Sequence, residues 1–262
     1  MYSVCKQPIA LQDDVLRRRI FSPQSYAVVR NMAVVPVVHS ECAVMASWFP
    51  LVWRQREQGV ELVVVRALLD EQRAQPAVGR KVLPLALLAY PFVLDPIEPA
   101  GPNARRMIED VFADAPTDVG ATITTQQHRL SRATTSRFRF LDRFALEAPL
   151  TAAIGEAIAT LDVLEPWPLQ FDVDGYRLTV PDLMLIRSSS FDSGRFAPLL
   201  RTFGMPCAVM LSLHRVSLFR AGGLLAAARA LIKDGGLSGG ATSDDHPETG
   251  AALALAGVEV LA

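Results

Sequence analysis

The chain has 262 residues, half of them hydrophobic, with 26 Lys and Arg against 27 Asp and Glu and a formal net charge of -1. That length and composition are enough for a substantial core, in one large domain or two small ones, and exclude a disordered chain. The balanced charge excludes a global attraction to nucleic acid or anionic membrane, so any electrostatic partner must be met by a local patch.

Three cysteines, Cys5, Cys42 and Cys207, lie far apart. Their odd number and the lack of a Cys-x-x-Cys pair argue against a disulfide framework or a thiolate zinc site, and for reduced thiols in a bacterial-type cytoplasm. The first twenty residues hold Asp13, Asp14 and the run Arg17-Arg18-Arg19, unlike the apolar core and small-residue cleavage site of a secretory signal.

From Tyr26 to Val38 the chain is rich in β-branched residues but contains Pro36, which predicts two short strands or one edge strand near the proline. Ser40 is expected to cap the helix that follows, with Glu41 at the positive end of its dipole. Cys42, Met45, Trp48 and Phe49 have the spacing of one helical face, and Pro50 stops the helix. The segments on either side of Gly59 read as a hairpin, whose second arm, "VELVVVRAL", should be largely buried. "LLAYPFVLDP" is expected to be extended, because Pro91 biases Tyr90 away from helix and Pro96 closes the run. The longest apolar stretch, from Val82, is interrupted by Pro84 and Pro91 and is too short to cross roughly 30 Å of hydrocarbon.

Asn103 to Phe112 has a helical pattern, and Ala113 to Ser136 reads as an irregular excursion. Helical signal returns from Arg137 through Phe140, Phe144 and Leu146. It resumes after Pro149 with Leu150, Ile154, Ile158 and Leu161, so Pro149 is expected to divide two helices. In "LQFDVDGYRLTV" alternating residues flank Asp174-Gly175, which predicts a tight two-residue hairpin. Helices are expected near Phe196 to Thr202 and Gly222 to Lys233, separated by the apolar "CAVMLSLHRVSLF". Asp234 to Gly250 is Gly-, Ser- and Asp-rich, a flexible linker before the apolar end "AALALAGVEVLA". The whole reads as an α+β protein of short antiparallel strands and hairpins packed with several helices: one globular domain over residues 1–233, then a linker and tail over 234–262.

Signatures of nucleotide and hydrolase chemistry are missing: no Gly-x-Gly-x-x-Gly after a strand, no P-loop, no Gly-x-Ser-x-Gly elbow. The four histidines form no His-x-x-x-His pair, which excludes a helix-borne zinc protease. His39-x-Glu41 has the spacing of the first two ligands of a two-histidine, one-carboxylate iron site, and His214 would supply the third. The competing reading is that these residues only start a helix, in which case His39 and Glu41 turn away from each other. Cys207 with His214 is the one close thiol and base pair in sequence. Ala208, Val209 and Leu211 surround Cys207 with apolar neighbours that would raise its pKa, and a buried core thiol is the expectation.

"HRLSRATTSRFRFLDR" gathers Arg129, Arg132, Arg137, Arg139 and Arg143 with Phe138 and Phe140 between them, a patch suited to an acidic partner or a nucleic acid strand. Near-zero total charge favours instead a solvated or self-paired face, with Glu109, Asp110, Asp114 and Asp118 as partners, and no nucleic acid. The apolar tail either docks on another protein or packs back on its own domain.

Val35-Pro36-Val37 followed by Glu41 and Phe49-Pro50, then Tyr90-Pro91-Phe92, "LTAAIGEAIATLDVLEPWPLQF" and "MPCAVMLSLHRVSLF", resemble in this order the SapC family of bacterial proteins, over roughly Ser25 to Leu218. Leu88-Ala89 stands where the family usually has Arg-Arg. The resemblance implies an accessory role tied to surface-layer export or assembly, or to systems with outer-membrane receptors and flavin-dependent halogenase-like proteins. It implies no established catalytic site, and the family pattern does not fix His39. The expectation is therefore a non-catalytic accessory or interaction protein with a protein partner and no cofactor. The alternative is an Fe(II)-dependent, oxygenase-like enzyme using His39, Glu41 and His214.

Overall fold

The computed structural model describes residues 7–20, 32–57, 59–68, 82–95, 101–112, 119–167, 169–173, 176–233, 253–255 and 258–261. In chain order the first elements are β1 (Pro8–Ala10), α1 (Asp13–Leu16), β2 (Arg19–Ile20), β3 (Val34–Pro36), and a 3-10 turn at His39–Glu41 that runs into α2 (Cys42–Met45). Then come β4 (Leu51–Arg56), β5 (Gly59–Val65), α3 (Leu85–Ala89), β6 (Phe92–Leu94), β7 (Arg106–Glu109), β8 (Ala121–Thr122) and the long α4 (Arg132–Thr160). The chain continues through β9 (Leu164–Pro166), β10 (Leu169–Val173), β11 (Tyr176–Val180), β12 (Leu183–Ile186), α5 (Ala197–Ser217), α6 (Ala221–Leu231), β13 (Leu253–Leu255) and β14 (Val258–Leu261). Among the described residues every strand pairing is antiparallel, in an α+β arrangement.

The centre is a five-stranded sheet in the order β3-β5-β4-β12-β9. β4 and β5 form the expected hairpin, registered from Leu51 opposite Val64 to Arg56 opposite Gly59, where Gly59 has φ +103° at the turn. Side chains alternate across a strand, and here both faces are covered. Leu51, Trp53, Leu62 and Val64 enter one core with Ile154, Ile158 and Met210, while Val52, Val63 and Val65 enter a second with Leu224 and Ala228 of α6. This two-sided burial is why β5 reads as a nearly continuous apolar run. Pro36 sits on β3, at the sheet edge, where a missing N–H is tolerated.

A third core lies under the three-stranded sheet β1-β7-β6, where Phe92, Ile108, Phe138, Leu141 and Phe144 meet. α4 joins the cores. Its first half packs in the third and its second half, through Ile154 and Ile158, in the first.

Several expectations are corrected. Helix α4 runs unbroken through Pro149. That residue is itself exposed, and Ala145, Ala148, Thr151 and Ile154 carry the buried face of the helix straight past it. The helix also starts earlier than Arg137, capped by Ser131, whose Oγ accepts the Thr134 N–H at 3.2 Å. Asn103 to Phe112 is no helix: Arg106–Glu109 is the middle strand between β1 and β6, and tertiary pairing overrides the local period. Within "LLAYPFVLDP" only the part from Phe92 is extended, since Leu85–Ala89 is helical. The apolar "CAVMLSLHRVSLF" begins within α5, which runs to Ser217 and departs from helical geometry at Gly204, φ +58°. β10 and β11 pair with Val173 opposite Tyr176, as a two-residue turn requires, although Asp174-Gly175 lies outside the described residues. So does the expected linker over 234–250. The tail strand β14 pairs with β11, Arg177 opposite Leu261.

Candidate functional site

The trio His39-Ser40-Glu41 forms the 3-10 turn that follows β3 and stands against α4. On α4, Arg143, Glu147 and Thr151 are spaced four apart and so share one face of the helix. Glu41 is 8% exposed. Its Oε2 accepts the Val38 N–H at 3.1 Å, and its Oε1 accepts the Leu85 N–H at 2.6 Å. One carboxylate therefore caps the turn that it belongs to and the start of α3, where Pro84 precedes the first helical residue. Ser40 was expected to be the cap, and that expectation is corrected. Its hydroxyl instead donates to Glu147 Oε2 and accepts from Arg143 Nη2 at 3.4 Å, while Arg143 Nε donates to Glu147 Oε1 at 3.0 Å. Of the apolar face expected for this helix, Cys42, Met45 and Phe49 are buried, but Trp48 is exposed.

Burial pushes the Glu41 carboxyl up to about 7 from its ordinary 4.5, against the two backbone N–H groups that favour its charged form; Glu147 adds to the rise and Arg143 opposes it. Burial, reinforced by Glu41, pushes the Cys42 thiol up to about 12. Both thiols of the core, Cys42 and Cys207, are reduced and buried, as expected of structural cysteines.

The tautomer of His39 follows from its neighbour. Thr151 Oγ1 donates its single proton to the Glu147 carbonyl at 3.0 Å, so it accepts from the His39 backbone N–H at 3.0 Å and from ring Nδ1–H at 3.1 Å. In the neutral ring this leaves the lone pair on Nε2.

His214 lies on α5, fully buried. Its Nδ1 donates to the Leu51 carbonyl at 2.7 Å and its Nε2 accepts the Ile186 N–H at 3.2 Å. Both nitrogens are spent on the backbones of β4 and β12, and burial pulls the imidazole down to about 4, so it is neutral. Its ring meets that of Trp53 edge to face at 4.6 Å. Ser217, one turn further along α5, accepts the Leu51 N–H at 2.9 Å and donates to the His214 carbonyl at 2.9 Å. Sequence reasoning missed Thr151, Glu147 and Ser217; a hydroxyl one turn after a histidine on an apolar helix is the only local signal for the last of these.

The structure does not bring the sequence-selected trio of His39, Glu41 and His214 together as ligands. Both oxygens of Glu41 and both nitrogens of His214 hold backbone groups, and among the described residues no three His, Cys, Asp or Glu side chains are grouped to hold a metal ion. Nor does His214 face Cys207 with a free nitrogen. Of the arginine cluster, Arg143 pairs with Glu147, Arg137 Nε donates to the Tyr90 carbonyl at 3.0 Å, and Phe138 is buried in the third core, where it cannot stack on a nucleic acid base.

A second feature lies between α1, the loop before β7 and the start of α4. There an open groove of about 390 Å³ is lined by Leu11, Leu16, Ala104, Leu130 and Phe138, with Arg106 on its wall. The Arg106 guanidinium stacks over Phe138 at 5.0 Å and pairs with Asp142 at 2.7 Å.

Comparison with known proteins finds a family model, SapC, that matches residues 17–195. The match ends before α5, so the likeness expected for "MPCAVMLSLHRVSLF" falls beyond it. No curated protein matches the chain, and no solved structure does.

Proposed function

The chain belongs to the SapC family, and from that premise we propose that it is a non-catalytic accessory protein that works by holding a protein partner. The observation that carries this reading is the division of labour among polar groups. The side chains best suited to chemistry, Glu41 and His214, are buried and bonded to backbone, whereas the groove beside Arg106 is open. A groove lined by Leu11, Leu16, Leu130 and Phe138 together with polar Asn103 and Arg106 fits a partner segment that inserts an apolar side chain and offers a carboxylate in exchange for Asp142. The family's ties to surface-layer and outer-membrane-associated systems give the setting in which such a partner is sought, halogenase-like proteins included. The Fe(II) alternative would require Glu41 and His214 to give up bonds that hold two helices and two strands, which favours the accessory reading.

Leu130 is half-exposed on the groove wall, so Leu130→Asp should leave the fold intact. Affinity purification from the native cell, done in parallel with wild type and with this variant, tests the proposal. A protein retained by the wild type and lost with Leu130→Asp supports it, and identical partner sets overturn it.

A further inference from the structure

From Ala197 to Lys233 the chain carries Arg201, Arg215, Arg220, Arg229 and Lys233 and not one Asp or Glu. Since the whole chain sums to -1, this stretch of α5 and α6 is at +5 while the rest of the protein is at -6. All five cationic side chains are exposed, and among the described residues none takes part in an ion pair, unlike Arg54, Arg106 and Arg143.

The same stretch exposes an apolar stripe. Met205, Val209, Val216 and Phe219 recur at the spacing of one helical face, and Met205, Val216 and Phe219 are 71%, 59% and 62% exposed. Arg215 and Arg220 fall on the two flanks of that stripe, and the Arg220 guanidinium lies 4.4 Å from the centroid of the Phe219 ring.

An apolar stripe flanked by unpaired cations is the pattern of a helix lying in a membrane interface. We propose that the exposed face of α5 and its continuation into α6 is a peripheral docking surface for a bilayer carrying anionic headgroups. The stripe enters the boundary between headgroups and acyl chains, and the cations meet lipid phosphate. A soluble polyanion such as nucleic acid would satisfy the arginines but leave Met205, Val216 and Phe219 in water, which is why a lipid surface fits better. No described helix is long and apolar enough to cross a membrane, so the contact is superficial. This surface lies outside the segment matched to the family and apart from the groove at Arg106.

Flotation of the full chain with vesicles of phosphatidylcholine, with and without phosphatidylglycerol, tests it. The chain should float with the anionic vesicles alone and be released by high salt. R215E/R220E should lower the bound fraction roughly tenfold or more, and M205S/F219S, at unchanged charge, should also weaken it. All four positions are exposed, and circular dichroism confirms that the variants are folded. Absence of flotation with anionic vesicles would overturn the proposal, as would full binding by R215E/R220E. Binding insensitive to M205S/F219S and matched by soluble polyphosphate would also overturn it, reducing the face to a general anion site.

Discussion

The carboxylate of Glu41 accepts the backbone N–H of Leu85 at 2.6 Å, across 44 residues of chain. Through that bond and its second one to Val38, a single side chain ties the turn after β3 to the start of α3 and so links the central sheet to the three-stranded sheet. Glu41→Gln keeps the shape but turns an amide NH₂ towards one of the two N–H donors. A buried donor left without an acceptor costs roughly 1–3 kcal/mol. Urea unfolding should show a loss in that range with an unchanged slope, and a loss below about 0.5 kcal/mol would mean that the bond to Leu85 contributes little.

Two buried groups set opposite pH dependences. Glu41 sits at about 7 in the fold against an ordinary 4.5, so its favourable contribution is complete below pH 4.5 and is lost as pH rises through 7. His214 sits at about 4 against 6.5, so its contribution is complete above pH 6.5 and is lost as pH falls through 4. Between pH 4.5 and 6.5 the two slopes oppose each other at about 1.4 kcal/mol per unit each. The wild type should therefore show a flat stability plateau there, falling on both sides. In Glu41→Gln the plateau should become a slope that rises with pH up to about 6.5, where only His214 titrates. Urea midpoints measured across this range decide it, and a variant as flat as wild type would refute the assignment.

These groups also show what could be read from residues alone. The hairpin around Gly59 and the paired strands either side of Asp174-Gly175 are local, and alternation with a turn signal suffices to place them. Met107, Ile108, Val111 and Phe112 satisfy a helical period equally well, and only the distant β1 and β6 make their segment a strand. At Pro149 the local rule for ending helices was outweighed by a buried face that continues on both sides. Glu41 was recognised as belonging to a helix start, but its second client, Leu85, lies in a different element, and no spacing rule reaches that far. His214 was singled out for chemistry as a third ligand beside His39-x-Glu41 and as the base nearest to Cys207 in sequence. Its purpose, bonding Leu51 and Ile186, depends on sheet order that one-dimensional patterns do not contain.

Ser217 and His214 act on the same residue. Together they satisfy both the N–H and the carbonyl of Leu51, at the first position of a buried strand. Ser217→Ala leaves the Leu51 N–H without its hydroxyl acceptor and should cost roughly 1–3 kcal/mol. His214→Phe removes the partners of the Leu51 carbonyl and the Ile186 N–H and should cost more. Because the groups share Leu51, the double variant should lose less than the sum, with a coupling of about 0.5 kcal/mol or more. A double-mutant cycle by urea unfolding measures it, and strict additivity would show that the two bonds hold the strand independently.

At Gly155, α4 passes close to Val60 of β5. A Cβ placed there would stand 3.3 Å from the Val60 carbonyl oxygen and 4.0 Å from the Trp53 indole nitrogen. Alanine gains about 1 kcal/mol of helix propensity over glycine. That gain is set against a shift of a few tenths of an ångström in Val60, which pairs with Gln55 next to the turn residue Gly59. Gly155→Ala should therefore fall within about 1 kcal/mol of wild type. Gly155→Val adds two methyl groups that must enter the space between the helix and the fully buried Trp53, and overpacking of that kind costs roughly 1–3 kcal/mol. The ordering, with alanine near neutral and valine well below, is read from thermal or urea unfolding. A valine variant as stable as the alanine one would show that α4 does not rest on β5 through this glycine.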